Sequence, residues 1–426
     1  MFWYEMKKLF FKKSLLIILC IFTVIDIAKI GQEHQNTTYL TDEKQEGMMS
    51  WKEAYRQLYE TYRGEITEEK IESLLERFQP LRQQTADLTA GGNENDSDYL
   101  TGNIWGDYYL LERYYMDPMQ YYYQYGKEAE VVCEKAKENV FFYRDKGNRY
   151  ESKKNALLYH LYQGREISNF SYTEMWRYYL NYNFSNILIF LLCIYGIVRV
   201  FVCEKEAKMK EITLVNINGG RKLAIRKLMA VTLYIVIVCL WFSAVDMVAF
   251  SAFFQSFEAA QMPVYAIETF TCASVGCKLW QYAVLAFLVR TLGFLVFGML
   301  FLLFSQFCKN ALIPFVLSIV TVVFFVFMDA VYGHSVFVWG KVCNPYTLIV
   351  NQRVLGKTEF VNFSGLPVLS YEAACVVGIL VYFLLVIVVW GLAKKNNFCG
   401  GKKPFVWRGA GRKRVTDRRE GTSCSC

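Results

Sequence analysis

Long runs of apolar residues alternate with polar segments along this chain of 426 residues. About 20 consecutive apolar residues are needed for a helix to cross the hydrocarbon core of a bilayer. Six runs reach or approach that length, and 54% of all residues are hydrophobic while only 20% are charged, which is too apolar for a typical soluble protein. The pattern predicts an all-α polytopic membrane protein with transmembrane helices at residues 14–30, 184–202, 228–254, 279–304, 311–331 and 372–393.

The first apolar run could be either a membrane anchor or a cleaved signal peptide, because a basic segment precedes it. A signal peptide ends in a small-x-small cleavage site. No such site follows this run, and Asp26 and Lys29 occupy the region where it would lie. We therefore expect a retained signal-anchor helix that is preceded by a short cytoplasmic segment at residues 1–13.

Basic residues between the apolar runs predict the orientation. The segment at 203–227 carries seven Lys and Arg, the tail at 394–426 carries ten, and the segment at 1–13 is also basic. Six crossings place all three on one side, which the positive-inside bias identifies as the cytoplasm. The region at 31–183 has 18 Lys and Arg against 26 Asp and Glu, and it is then extracellular. The shorter connections follow as 305–310 inside and 255–278 and 332–371 outside.

The region at residues 31–183 has the periodicity of a small helical domain. The stretch "SWKEAYRQLYETYRG" predicts a helix that ends at Gly64, and the next stretch predicts one that begins at Thr67 and stops at Pro80. No β alternation stands out. The many tyrosines either fill a core and cover the membrane interface or form a surface for an amphipathic peptide or lipid headgroups. Further helices are expected near residues 105–115, 127–143 and 155–162.

The residue patterns of soluble catalytic sites are absent from the sequence. His34, His160 and His334 are isolated and lack metal-ligand spacing. The serine-hydrolase, zinc-protease and P-loop signatures do not occur. We therefore expect no enzyme activity, no metal and no cofactor in this chain, so that any nucleotide chemistry comes from a partner.

Three cysteines lie in segments predicted to be extracellular. Cys272 and Cys277 share one such segment, and Cys343 lies in another. An oxidising compartment would permit a disulfide among them, and three free thiols are the other interpretation because the sequence does not specify their geometry.

The segment at 203–227 interrupts two apolar runs with a charged, amphipathic pattern. Met209, Ile212 and Val215 recur on one helical face, and polar residues occupy the other. The glycines at 219 and 220 then end the helix. The simplest interpretation is a positively charged loop that contains a helix at the membrane surface.

A more specific interpretation comes from the stretch "EKEAKMKEITLVNINGGRKLAIRKL". It resembles the cytoplasmic loop after the second span of type-2 ABC transporter permeases, the membrane subunits of many bacterial ABC exporters. That pattern comprises acidic residues, a short apolar-faced helix, a turn of small residues and proline, an arginine, and a lysine that opens the third span; Asn218 replaces the usual proline. The resemblance assigns ATPase coupling to Glu204, Glu206, Glu211, Leu214, Gly219, Gly220, Arg221 and Lys227.

The resemblance covers this stretch closely, and the six-span layout extends it over the chain. It implies a permease in the plasma membrane of a bacterium, with both termini cytoplasmic and the segment at 1–13 as an amphipathic elbow. The implied partners are an ABC ATPase subunit that carries ATP and Mg, a second permease in a homodimer or heterodimer, and the lipid bilayer, but no nucleic acid. The substrate would be amphipathic or lipidic, for example a peptide of the antimicrobial export and immunity kind. The alternative is a membrane sensor or immunity protein that binds a peptide without transporting it.

Asp246 and Arg290 are charged residues that lie inside the third and fourth predicted spans. Asp246 is about 12 Å from the outer end of the third span, and Arg290 is about 16 Å deep in the fourth, at about 1.5 Å per residue. An arginine at the bilayer centre costs at least about 2.5–3.5 kcal/mol, so it requires a carboxylate or a wet cavity. We expect an intramembrane charge pair, and the alternative is that Arg290 snorkels or meets backbone carbonyls.

Overall fold

A computed structural model describes residues 2–10, 12–37, 49–90, 100–206, 221–254, 257–333, 335 and 337–398. The described part contains six helices that are long and apolar enough to cross a membrane, which confirms the prediction of an α-helical, multi-pass membrane protein. We name them span one to span six in chain order: Lys13–Thr37, Phe184–Ile197 with its continuation Arg199–Glu206, Arg221–Phe254, Leu279–Phe307, Leu312–Tyr332 and Ser370–Phe398.

Spans two, three and four form the centre of the bundle, and spans one, five and six pack around them. About half of the apolar window is buried in spans two and four, against 17% in spans one and five. Side chains such as Val320 and Phe327 of span five are therefore exposed. Contiguous exposed apolar surface of this kind is typical of contact with lipid.

We call the end of the bundle that is joined by residues 207–220 the loop end, and the opposite end the domain end.

A helical domain at residues 49–181 is inserted between spans one and two. Its first helix begins with a capping box, in which Ser50 Oγ accepts from the Glu53 N–H at 3.3 Å and the Glu53 carboxylate accepts from the Ser50 N–H at 3.3 Å. The helices are Trp51–Tyr62, Glu68–Thr89, Ile104–Leu111, Asp117–Asp145, Arg149–Tyr162 and Glu174–Asn181, with a π-helical turn at Glu112–Met116.

The predicted stop at Pro80 is wrong, because the second helix of the domain continues through it to Thr89. Proline removes one backbone hydrogen bond and crowds the preceding turn. Here both Pro80 and Glu76, whose carbonyl loses its donor, are exposed, so water can satisfy the carbonyl. The buried face also continues past the proline, from Phe78 to Thr85. Burial of that face therefore decides the length of the helix.

Two small antiparallel sheets lie within the otherwise helical structure. Gly64–Glu65 (β1) pairs with Asn169–Phe170 (β2), and Phe360–Phe363 (β3) pairs with Leu366–Leu369 (β4). The β3–β4 hairpin turns at Ser364 and Gly365, which both have positive φ, as a tight hairpin turn requires. The sequence pattern did not indicate these strands because each is at most four residues long.

The helical domain packs against span three and against the connection between spans three and four. The ring of Tyr125 stacks on that of Tyr265 with centroids 4.8 Å apart, and Arg165 Nη2 donates to the Ala273 carbonyl at 3.0 Å. Tyr265 and Ala273 belong to the connection between spans three and four. One hydrophobic core runs from the domain to Phe250 of span three. Most tyrosines of the domain lie in this core or pack against it. Tyr122 is one of the buried ones, and its burial raises the pKa of its hydroxyl to about 12. The structure thus favours the core-filling interpretation of the tyrosines.

Gly293 of span four lies where a short helix, Pro345–Ile349, crosses it closely. A Cβ at Gly293 would lie 2.6 Å from Ile349 Cγ1 and 3.1 Å from the Pro345 carbonyl oxygen. We expect Gly293→Ala to lower the free energy of unfolding in mixed micelles by about 1–3 kcal/mol, as overpacking does. Gly391→Ala is the matched control, because no described atom beyond its own stretch of helix lies within 4 Å of its Cβ position. Equal stability of the two variants would contradict the close crossing.

Candidate functional site

The residues assigned to ATPase coupling lie at the loop end of the bundle, at the two ends of the segment 207–220. Glu204 and Glu206 are in the last turns of span two, and Lys227 is in the second turn of span three. Arg221 begins span three, and its side chain is not described. The remaining four, Glu211, Leu214, Gly219 and Gly220, lie outside the described residues.

Glu204 and Lys227 form an ion pair that joins span two to span three. Lys227 Nζ lies 2.6 Å from Glu204 Oε2, and the lysine side chain is only 1% exposed. The same ammonium donates to the Val200 carbonyl at 3.2 Å and lies 4.4 Å from the ring centroid of Phe201. A lysine this deeply buried requires such partners, so the pair fixes the helix that leaves the segment 207–220 against the helix that enters it.

Lys205 joins span two to the end of span four. Its ammonium donates to the carbonyls of Ser305, Gln306 and Cys308 at 3.1, 2.6 and 2.7 Å. Carbonyls at the C-terminus of a helix lack intrahelical donors and bear partial negative charge, so a lysine is a suitable cap. The sequence analysis counted Lys205 only as a basic loop residue, and no local signal indicated this contact.

Glu206 joins span two to span five. Its Oε1 accepts from the Ala311 N–H at 3.2 Å, directly before the first turn of span five. A carboxylate is stabilised at this position by the N-terminal helix dipole. Three consecutive residues, Glu204 to Glu206, therefore contact three different spans.

The backbone hydrogen-bond pattern of span two is interrupted just before these three contacts, although the chain keeps helical dihedral angles there. The interruption falls at Val198, and the buried Ser305 of span four bridges it by donating to the Val198 carbonyl at 2.7 Å and accepting from the Phe201 N–H at 3.2 Å. Irregular backbone at membrane depth requires partners of this kind. The interruption separates the last turns of span two, with their three contacts, from the rest of the helix.

The N-terminal segment forms a helix, Phe2–Phe10, that packs on span three. Met6 and Leu9 are buried, and the ring of Phe10 contacts that of Tyr234 with centroids 5.1 Å apart. Tyr234 lies two turns after Lys227, so this helix lies near the loop end.

Asp246 and Arg290, the predicted intramembrane pair, are brought together in the structure. Arg290 Nη1 lies 3.7 Å from Asp246 Oδ2. Ser185 of span two joins them, because its hydroxyl donates to Asp246 Oδ2 at 2.8 Å and accepts from Arg290 Nη2 at 2.9 Å. Spans two, three and four therefore meet at one polar cluster.

Asp26 of span one belongs to the same cluster, and the sequence analysis missed it. Its side chain is fully buried, and Tyr182 donates to its Oδ1 at 2.7 Å. Span one packs along span three on both sides of this residue, at Thr23 with Trp241 and at Gly31 with Phe253, which places its carboxyl group next to that of Asp246. An acidic residue inside a predicted span was an available signal, because such residues are rare there and find polar partners.

A cleft of about 410 Å³ opens at the domain end, where the longest helix of the domain faces the connection between spans three and four. Its wall carries both signs of charge, with Arg113 and Arg177 as well as Asp117 and Glu268. Burial, followed by the charges of Glu112 and Glu268, raises the pKa of Asp117. With aromatic residues between these charges, the cleft has the chemistry to receive a peptide.

Among the described residues, no group of three or more His, Cys, Asp or Glu is arranged to hold a metal ion. His34 packs edge-on against Phe254 and His160 against Tyr159, and His334 lies outside the described residues. Cys272, Cys277 and Cys343 are free thiols in the structure.

Comparisons of the chain with protein-family models, curated proteins and solved structures find no match. Its function must therefore be inferred from the contacts described above.

Proposed function

We propose that this chain is the transmembrane permease subunit of an ABC transporter in a bacterial plasma membrane. In this proposal a separate ATPase subunit binds ATP and Mg, docks on the segment 207–220 at the cytoplasmic side, and drives the movement of an amphipathic or lipidic substrate. A second permease, identical or different, completes the transporter. The observation that carries the proposal is the set of contacts from Glu204, Lys205 and Glu206 to three other spans.

These contacts connect the docking segment to the spans, so that a displacement of the segment can be transmitted to the helices in the membrane. A force on residues 207–220 acts first on the last turns of span two, which are joined to span three by Lys227 and to span four by Lys205. The contact from Glu206 to Ala311 joins the same turns to span five. Rigid helices that are joined at their ends convert a local displacement into a rearrangement of the bundle.

Copurification in mild detergent tests the proposal. The wild-type chain should capture an ATPase with a P-loop, and Glu211→Lys with Leu214→Asp should reduce this capture roughly tenfold or more, since loss of an interface anchor costs on the order of 2 kcal/mol. Lys309→Glu is the matched control, because Lys309 is an exposed charge in the connection between spans four and five. Full capture and coupled ATP hydrolysis by the double variant would overturn the assignment of this segment.

The second candidate function is a sensor or immunity protein that binds a peptide without transport. The cleft lined by Asp117, Arg177 and Glu268 favours it, as does the net negative charge of the region 31–183. The two functions predict different complexes. A sensor should bind a cationic peptide at the domain end without any ATPase in the purified complex, whereas the permease requires the ATPase.

A further inference from the structure

Among the described residues, the polar cluster inside the bundle contains two carboxyl groups and a single guanidinium at contact distance. Asp26 of span one is fully buried, and Asp246 of span three is 2% exposed. Arg290 of span four lies 3.7 Å from the carboxylate of Asp246. Two adjacent carboxylates in a buried site cannot both stay ionised without a cation for each of them. The second negative charge therefore lacks a counter-ion within the cluster.

The hydrogen bonds of the two carboxyl groups leave one oxygen of each without a donor. Asp26 Oδ1 accepts from Tyr182, and Asp246 Oδ2 accepts from Ser185. The other two oxygens, Asp26 Oδ2 and Asp246 Oδ1, are buried and have no hydrogen-bond partner among the residues that the structure describes. Because a buried polar atom without a partner costs free energy, a proton that one of these oxygens donates to the other would satisfy both of them.

The other titratable groups around the cluster do not supply that donor. Tyr182 already donates to Asp26 Oδ1, while Tyr179 lies on the helix before span two. Glu33 of span one and Cys239 of span three are acids, so neither adds a positive charge that could balance the second carboxylate.

We infer that Asp26 and Asp246 bind one exchangeable proton, which they share across the contact between span one and span three. One proton satisfies both oxygens and makes the cluster neutral, with one carboxylate balanced by Arg290. A metal cation fits less well, since it would lie beside the guanidinium and would find few oxygen ligands. The inference is independent of the transport proposal.

The proton has a structural consequence because Asp26 lies on a span that is mostly exposed. Only 17% of the apolar window of span one is buried. Among the described residues, the other side-chain hydrogen bonds that join this span to the bundle are Thr23 with Trp241 and Ser14 with Tyr195. With the proton bound, the two carboxyl groups attract each other through a hydrogen bond. Without it, two neighbouring negative charges repel, and span one is loosened from span three.

Infrared difference spectroscopy of the full chain in liposomes, between neutral and alkaline pH, tests the inference. The wild type should show a carboxylic-acid C=O band at neutral pH that is lost at alkaline pH. Both Asp26→Asn and Asp246→Asn should lack this band, because the remaining carboxylate then pairs with Arg290. Asp329→Asn is the matched control and should retain it, since Asp329 has its own guanidinium, Arg353, at 3.2 Å.

Asp26→Asn is the decisive variant, because asparagine has the shape of the protonated acid and can donate to Asp246. It should fold, and its thermal unfolding midpoint should lose the decrease toward alkaline pH that we expect of the wild type. A band of wild-type strength in Asp26→Asn would overturn the inference, even if Asp246→Asn fails to fold. A midpoint that rises with NaCl but not with N-methylglucamine chloride, in a wild type without the band, would overturn it in favour of a metal cation.

Discussion

Replacing Lys227 with Met should destabilise the bundle by about 3–5 kcal/mol, the cost typical of breaking a buried ion pair by removing one partner. The side chain of Lys227 is almost wholly buried, and its ammonium interacts with Glu204, the Val200 carbonyl and the ring of Phe201. Methionine fills a similar volume but leaves the Glu204 carboxylate without this cation. The measurement is the free energy of unfolding in mixed detergent micelles.

A double-mutant cycle separates the ion pair from simple packing. Glu204→Gln combined with Lys227→Met removes both charges and should recover part of the stability that Lys227→Met loses. Lys222→Met is the matched control, since Lys222 is an exposed lysine on the same helix, and it should change stability by no more than about 0.5 kcal/mol. Additive effects of the two substitutions would contradict a coupled pair. If the proposed function is correct, Lys227→Met should also uncouple ATP hydrolysis from transport.

Replacing Arg290 with Met should have an effect of similar size, about 3–5 kcal/mol, because it leaves two buried carboxyl groups without a cation. Asp246 and Asp26 would then have to hold a second proton or accept an uncompensated charge in an apolar setting. The expected result is a lower yield of folded protein and a lower free energy of unfolding. Arg353→Met provides the comparison, and its loss should be smaller because Arg353 is 28% exposed and partly solvated.

Second-site changes test whether Arg290 acts through Asp246. Asp246→Asn in the Arg290→Met background removes one of the two carboxyl groups and should restore part of the stability. The charge exchange, Asp246→Arg with Arg290→Asp, should likewise retain more folded protein than either single change. If neither combination improves on the single variants, Asp246 and Arg290 act as independent sites and the cluster does not behave as one unit.

Local signals in the sequence were sufficient for much of the architecture. Each span is long and apolar enough to be recognised without knowledge of its neighbours, since crossing a bilayer depends only on the length and polarity of that segment. The predicted helix start at Thr67 was equally local, because Thr67 caps its helix through a contact with the residue three positions ahead. The predicted end at Pro80 was wrong because a local rule was overridden by a buried face that continues on both sides of the proline.

The side-chain contacts within the candidate sites could not be predicted from local signals in this way. The sequence by itself determined that Asp246 and Arg290 are charges inside apolar runs, and that acidic and basic residues flank the segment 207–220. Only the tertiary structure decided that Asp26 joins that pair and that Glu204, Lys205 and Glu206 each contact a different span. Such contacts depend on the rotation and depth of one helix relative to another. Those are set by packing between residues far apart in the chain, which the periodicity of a single helix does not encode.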